Sequence, residues 1–318
     1  MRRFALSRVL VLVLSVITFL GAASAVQAGK YPNRPVKFIV PWPPGDLEDV
    51  LTRAIAKEMS EQTGVPATVV NKPGGGGVLG ATTVAQSRPD GSVIGSFVVD
   101  LLTTAVMSGN SPYNVDDFEP VGIFLDYPFV IAAKADAPYS NLQELAEYSK
   151  SHDVVLGHFG YQALPTALTF KAADQMSIKF ASDAAFDELN CATLANGDAD
   201  IINTTTQQIL PCLESKDVKL LVSITRDRLV IASDVPTLKE VTGIEQTLWN
   251  GLFVKKGTDQ AIKDKIAAVA HKALQSDDVR TLQQNTGAGV YWADADAAAK
   301  TIAADYSNAE KLLSYMNR

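Results

Sequence analysis

Histidine and cysteine are scarce in this chain. Three histidines (His152, His158, His271) and two cysteines (Cys191, Cys212) are spread over 318 residues, which excludes a structural zinc site of the Cys/His type. Basic charge is short as well. Lysine and arginine number 28 against 35 acidic residues, a formal net charge of -7, so the basic face by which nucleic-acid binders are recognised is missing and no nucleic-acid partner is expected. Neither a G-x-S-x-G elbow nor an H-E-x-x-H helix occurs. There is no tandem repeat and no low-complexity tract. After the N-terminal stretch no apolar run is long enough to span a bilayer. What is present is the profile of a packed globular protein, 47% hydrophobic and 20% charged, with a length that suits two domains.

The first segment reads as an address. Arg2, Arg3 and Arg8 precede an apolar stretch over residues 9–23, and small residues follow at Ala23-Ser24-Ala25 and Val26-Gln27-Ala28. This is the layout of a secretory signal peptide, expected over residues 1–28 with cleavage near Ala28. A spanning anchor would need a longer apolar run, and no cysteine stands at the cleavage site to take a lipid. Export to an oxidising compartment makes Cys191 and Cys212 a candidate disulfide; two buried thiols are the alternative.

Strands and helices alternate along the rest. Residues 36–40 form a β-branched run closed by Pro41-Trp42-Pro43-Pro44-Gly45. Residues 49–62 carry Val50, Leu51, Ala54, Ile55 and Met59 on one helical face. A strand at 67–70 runs into Asn71-Lys72-Pro73-Gly74-Gly75-Gly76-Gly77, followed by a helix over 79–87, a turn at Pro89-Asp90-Gly91 and a strand over 93–99. This order predicts a parallel sheet with helices on its faces. A second unit opens with an extended crossing segment at 121–133, interrupted at Tyr127-Pro128. Helices at 142–150, 164–173 and 186–195 and strands at 154–156, 200–203 and 219–224 follow. A second crossing runs over 249–254, and helices at 259–275, 277–284 and 294–313 close the chain. The fold class is therefore α/β, in two lobes, each a mainly parallel sheet flanked by helices. Residues 29–122 and 250–318 are expected to form the first lobe and 123–249 the second. Ligands in such folds sit at the carboxyl ends of the strands and in clefts between lobes, which points to the loops at 41–49, 71–80, 97–104, 157–163 and 203–206.

Several motifs carry a family resemblance. Tyr31-Pro32-Asn33-Arg34-Pro35-Val36, Pro41-Trp42-Pro43-Pro44-Gly45 with Asp49, the Asn71 to Gly77 run with Gly80-Ala81, Pro89-Asp90-Gly91, Gly197-Asp198-Ala199-Asp200, Asp234-Val235-Pro236-Thr237 and Trp249-Asn250-Gly251 with Gly257-Thr258 occur in the order seen in the tripartite tricarboxylate transporter substrate-binding proteins, the Bug family. Each motif is weak alone; together they resemble that family over essentially the whole chain beyond the leader. The resemblance implies a type II periplasmic-binding-protein fold and a periplasmic solute receptor acting as a monomer. It further implies a small organic acid as ligand and integral membrane transporter subunits as partners, with no cofactor. It implies ligand carboxylates held by backbone amides and waters rather than by basic side chains.

Candidate ligand residues follow. Trp42, Pro44, Gly45, Asp46, Leu47, Glu48 and Asp49 occupy the first strand-to-helix loop. Gly75, Gly76 and Gly77 occupy the second, where the absence of a Cβ lets backbone approach a ligand. Asp100 lies beyond the third strand, Gly160, Tyr161 and Gln162 in the second-unit loop, and Thr204 and Thr205 at a later strand end. Helix N-termini at these loops offer N–H groups to an anion. The acidic run Asp46-Leu47-Glu48-Asp49 departs from the glycine and small residues usual in the family. Either Asp46 caps the first helix while Glu48 and Asp49 complement its dipole, or an acidic side chain faces the cleft and pairs with an amino group of the ligand. In both cases a plain di- or tricarboxylate becomes doubtful, and a carboxylate that also carries an amino or polar group is expected. His158, on a cleft loop, is the one histidine singled out there.

An enzyme reading competes. Gly75-Gly76-Gly77-Val78-Leu79-Gly80 fits G-x-G-x-x-G, and Asp100 stands where a ribose-binding acid would. The proline ahead of the glycines and the export signal argue against a nicotinamide cofactor, so no catalysis is expected. A second alternative keeps the fold and makes the protein an extracytoplasmic ligand sensor for a signalling partner.

Overall fold

The computed structural model describes residues 31–109 and 111–316; the leader expected over residues 1–28 lies outside the described residues. The chain divides into Met1–Asn33 and Arg34–Arg318, and every element below belongs to the second unit. The β-branched run makes strand β1 (Val36–Val40), which Pro41 ends. Helix α1 (Leu47–Thr63) is capped by the side chain of Asp46 and stops at Gly64, φ 71°, a left-handed backbone that suits glycine. Strand β2 (Ala67–Asn71), helix α2 (Val78–Ala85) and strand β3 (Val93–Val98) complete the opening run, and helix α3 (Thr104–Met107) leads to β4 (Phe118–Asp126).

Tyr127-Pro128 separates β4 from β5 (Phe129–Lys134). Then come α4 (Leu142–Tyr148), β6 (Val155–His158), α5 (Leu164–Met176), β7 (Ser182–Ala185), α6 (Cys191–Ala195), β8 (Ile201–Thr205), α7 (Leu210–Glu214), β9 (Val218–Ile224) and α8 (Leu238–Thr242). Strand β10 (Trp249–Lys255) returns to the first sheet, followed by α9 (Gln260–Ala273), α10 (Asp277–Thr286), β11 (Gly289–Asp294) and α11 (Ala295–Met316). Among the described residues no helix is long and apolar enough to cross a membrane.

Two sheets result, ordered β11-β4-β10-β3-β1-β2 and β7-β6-β8-β5-β9, which is the two-lobed α/β architecture. Parallel pairing joins β1 to β2 and β3, and β6 to β7 and β8. The expectation of mainly parallel sheets needs correction: β10 is antiparallel to β3 and β4, β11 to β4, and β5 to β8 and β9. The crossing strands β4, β5 and β10 join each sheet running against their neighbours, so both sheets are mixed. Strand β4 keeps its pairing in the first sheet as far as Asp126, so the first crossing falls at Tyr127-Pro128, past the residue 122 drawn from the sequence. There Tyr127 N donates to Leu248 O at 2.7 Å, which ties the two crossings side by side.

Each sheet has its own core. In the first, Phe97 stacks on Phe253 at 5.5 Å and meets Phe118 edge-on at 5.3 Å, with Phe38, Ile39, Leu51 and Ile55 fully buried around them. In the second, Val130, Leu189, Leu194, Ile202 and Ile209 pack with Cys212. A disulfide joins Cys191 to Cys212, Cα to Cα 5.8 Å, and so ties the start of α6 to α7 in that core.

The helix expected over 186–195 forms only over its second half, Cys191–Ala195. Ser182–Ala185 pairs in parallel with Val155–His158, and Phe186 N continues the ladder to His158 O at 2.9 Å. The chain bends at Asp187 and reaches Asn190, whose side chain caps the five-residue α6. Pairing at the sheet edge takes Phe186 out of the local helical pattern, a usual outcome where propensity meets tertiary contact.

Candidate ligand-binding site

The loops after β1, β3, β6, β7 and β8 and the Tyr127 crossing converge on a cavity of about 340 Å³. A second hollow of about 410 Å³ adjoins it, sharing Trp42, Asp100, Phe159, Ala163 and Asp187 as wall. The setting agrees with the rule that strand carboxyl ends carry the site, and the first volume falls in the range of small-molecule pockets. Much of the main wall is aromatic: Trp42, Tyr127, Phe129, Phe159 and Trp249. Phe129 lies perpendicular to Phe159 at 6.1 Å and tilted against Tyr127 at 5.4 Å.

Asp46 caps the first helix, as one of its two readings has it. Oδ1 accepts from Leu47 N at 2.8 Å, the helix cap, and also from Thr205 Oγ1 at 2.8 Å; Oδ2 accepts from Gln208 Nε2 at 2.8 Å. Its carboxylate thus caps α1, faces the cavity and bonds to residues of the other sheet. Burial raises its pKa, with the hydrogen bonds opposing. Glu48 is 2% exposed and accepts from the Tyr127 hydroxyl at 3.1 Å. Loss of water, reinforced by the charge of Asp46, holds its carboxyl well above the usual range. Behind it Tyr127 also reaches Asn250 Oδ1 at 3.3 Å, and Asn250 Nδ2 and Thr52 Oγ1 each donate to Ser96 Oγ at 2.8 Å.

Asp100 receives the N–H of Leu164, at the start of α5, on Oδ2 at 2.8 Å. Burial pushes its carboxyl up to about 7. In the hypothetical dinucleotide site this acid would bind a ribose; here it bridges from the β3 end to the first turn of α5.

Two of the glycine amides expected to grip a ligand carboxylate are committed within the chain. Gly45 N donates to Asp49 Oδ2 at 3.1 Å, and Gly160 N to His158 Nδ1 at 2.9 Å. Because Nδ1 accepts, His158 carries its proton on Nε2 and donates it to Asp183 Oδ1 at 2.9 Å. Tyr161 donates to the same oxygen. His158 is fully buried and spends both ring nitrogens on holding its loop. The N-termini of α1 and α5 bind the chain's own Asp46 and Asp100, through Leu47 N and Leu164 N.

Of the residues expected at the site, Trp42, Pro44, Gly45, Asp46, Glu48 and Asp100 line the main cavity, and Gly76, Gly160, Tyr161 and Gln162 the adjoining one. The others fall off both walls. Leu47 is wholly buried in the core. Asp49 is held by two bonds from Arg53, at 2.8 and 2.9 Å, and one from Asn71 Nδ2 at 2.9 Å. Gly75 and Gly77 serve the turn into α2 with φ of 60° and 86°. Thr204 donates to Leu189 O, and Thr205 Oγ1 donates to Asp46 while accepting from Gln208 N.

Sequence reasoning missed Tyr127, Phe129, Phe159, Gln207 and Gln208, along with Asp187 and Glu188. Tyr127 stood at the noted break in the crossing, and Gln207-Gln208 just beyond the strand end at 203–206. Asp187 and Glu188 were lost in the first half of the helix expected over 186–195, the part that does not form. Trp42 Nε1 and Gln207 Oε1, both of wall residues, are buried without a hydrogen-bond partner among the described residues. No cluster of His, Cys, Asp or Glu among the described residues is arranged to hold a metal ion.

Comparison with known proteins bears on this geometry. The pattern of the tripartite tricarboxylate transporter family receptor matches residues 51–317. The protein BugT of Bordetella pertussis is 30% identical over 285 residues, covering 85% of this chain and 86% of that one. The periplasmic binding protein BugD superposes with a TM-score of 0.81 at 27% identity, covering 90% of this chain and 98% of BugD. MatC from Rhodopseudomonas palustris, solved with bound malate, superposes with a TM-score of 0.79 at 28% identity, covering 89% and 99%.

Proposed function

Because the chain belongs to the tripartite tricarboxylate transporter family of receptors, a family of solute receptors rather than enzymes, we propose that it captures a small organic carboxylate that also carries an amino or other polar group. It delivers this solute to integral membrane transporter subunits. The leader is removed on export, the receptor works in the periplasm as a monomer, and the two crossings act as the hinge between lobes. The observation that carries the reading is the cavity of about 340 Å³ walled by loops from both sheets. The malate held by MatC supports a small organic acid as the class of guest.

Hydrogen bonds span the cleft from Asp46 to Thr205 and Gln208, and from Asp100 to Leu164. A ligand that touches both walls favours this juxtaposition over a parted one by its differential affinity. A thermal-shift screen of mono-, di- and aromatic carboxylates, amino acids and amines tests the proposal. A ligand of the native state raises the melting temperature, by a stabilisation that grows with the logarithm of its concentration over its Kd. A flat response to the whole collection would sink it.

A further inference from the structure

We propose that the cleft recognises, besides a single carboxylate, a cation, the ammonium of an amine-bearing solute with an apolar body, received by Asp46, Glu48 and Asp100. The inference rests on reading the cleft as a solute site and narrows the class of solute.

The charge of the wall is one-sided. Asp46, Glu48, Asp100, Asp187 and Glu188 line the main cavity, and no lysine, arginine or histidine does. The nearby guanidinium of Arg53 lies off the wall, engaged by Asp49 and Asn71. A second carboxylate on the guest would meet neither a cation nor the amides Leu47 N, Leu164 N, Gly45 N and Gly160 N, all of which already donate within the chain. Where these carboxyls are ionised they repel a second carboxylate on the guest.

Two wall residues also carry polar atoms without partners among the described residues, Gln207 Oε1 as acceptor and Trp42 Nε1 as donor. Both atoms are closed to solvent in this conformation, so a guest's ammonium or carboxylate oxygen reaches them only where the wall adjusts on binding. The faces of Trp42, Tyr127, Phe129 and Phe159 offer cation–π contact and an apolar enclosure for the body.

Proton linkage gives the test its sign. Glu48 faces Asp46, Asp49 and Tyr127, Asp100 faces the Leu164 amide, and Asp187 and Glu188 complete the acidic wall. Burial holds Glu48 and Asp100 toward the neutral form. An arriving cation favours their ionised form and expels protons; an arriving anion must find them protonated and takes protons up.

Isothermal titration calorimetry of the mature chain at pH 7, run in phosphate and in Tris, counts these protons. The probes are phenethylamine, phenylalanine, 3-phenylpropionate and succinate, which vary the polar end. Phenethylamine or phenylalanine is expected to bind with proton release, at least ten-fold more tightly than 3-phenylpropionate, with succinate weaker still. Glu48→Gln and Asp100→Asn should each weaken amine binding at least ten-fold and reduce the protons released, with circular dichroism confirming the fold. Tighter binding of succinate or 3-phenylpropionate than of either amine, or proton uptake on binding, overturns the inference and leaves the receptor reading standing. Binding by none of the four counts against the receptor reading itself.

Discussion

The carboxylate of Asp100 accepts the N–H of Leu164 at 2.8 Å, so the acid that follows β3 in one sheet caps the first turn of α5, which packs on the other. Pro165 at the start of that helix has no N–H to offer, and Leu164 supplies the donor in its place. One titratable side chain therefore joins the state of the cleft to pH.

Asp100→Asn should flatten the pH dependence of stability. The folded pKa of about 7 lies above the ordinary 3.8, so the folded protein holds the extra proton between those values. The contribution is fully present below the unfolded pKa and is lost as pH rises through the folded one. Urea unfolding at pH 5 and pH 8 should show the wild type losing stability on the alkaline side. The asparagine variant, which still offers an acceptor to Leu164, should lose less between the same two points.

Asp46→Ala removes a helix cap and two acceptors for the opposite sheet together. A loss of about 1–2 kcal/mol is expected, the upper range for a helix cap, read from the urea midpoint. Asp46→Asn keeps Oδ1 as an acceptor and should lose less. Equal losses for the two variants would mean that the charge, rather than the hydrogen-bonding shape, holds the site.

Reduction of the Cys191–Cys212 disulfide, or its replacement by two serines, opens a loop of sequence separation 21. The chain-entropy account gives about 3 kcal/mol for such a loop. Comparing unfolding midpoints of the oxidised and double-serine proteins checks it, and a difference near zero would contradict the tie between α6 and α7.

Gly80→Ala should destabilise the first lobe by about 1–3 kcal/mol, the range for forcing extra atoms into a packed site. A Cβ there would meet Pro41 Cα at 2.9 Å and Lys72 O at 3.1 Å. These are backbone atoms that cannot rotate away. A variant with an unaltered melting temperature would show that α2 shifts freely against the β1 loop.

Much of the frame was legible in the residues. The β-branched run at 36–40 and the proline stop gave β1 and Asp46 offered a helix cap as one of two readings, whereas the lobe boundary was drawn at residue 122, short of the Tyr127-Pro128 break where β4 leaves its sheet. Asp46, Glu48, Trp42 and Asp100 were placed at the site because loops after strands collect there. The helix expected at 186–195 forms only from Cys191, because Phe186 continues the pairing of β7 with β6, a contact between segments distant in sequence. Asp187, Glu188 and the two glutamines reached the wall by the same long-range geometry.

The sequence by itself determined where strands and helices begin and end over most of the chain, and that the loops between them are acidic and glycine-rich, because period, proline, glycine and caps act within a few residues. Only the tertiary structure decided which amides those acids would occupy. Asp46 reaches Thr205 and Asp100 reaches Leu164 because two sheets face each other, and a hydrogen bond depends on distance and angle that no local pattern encodes.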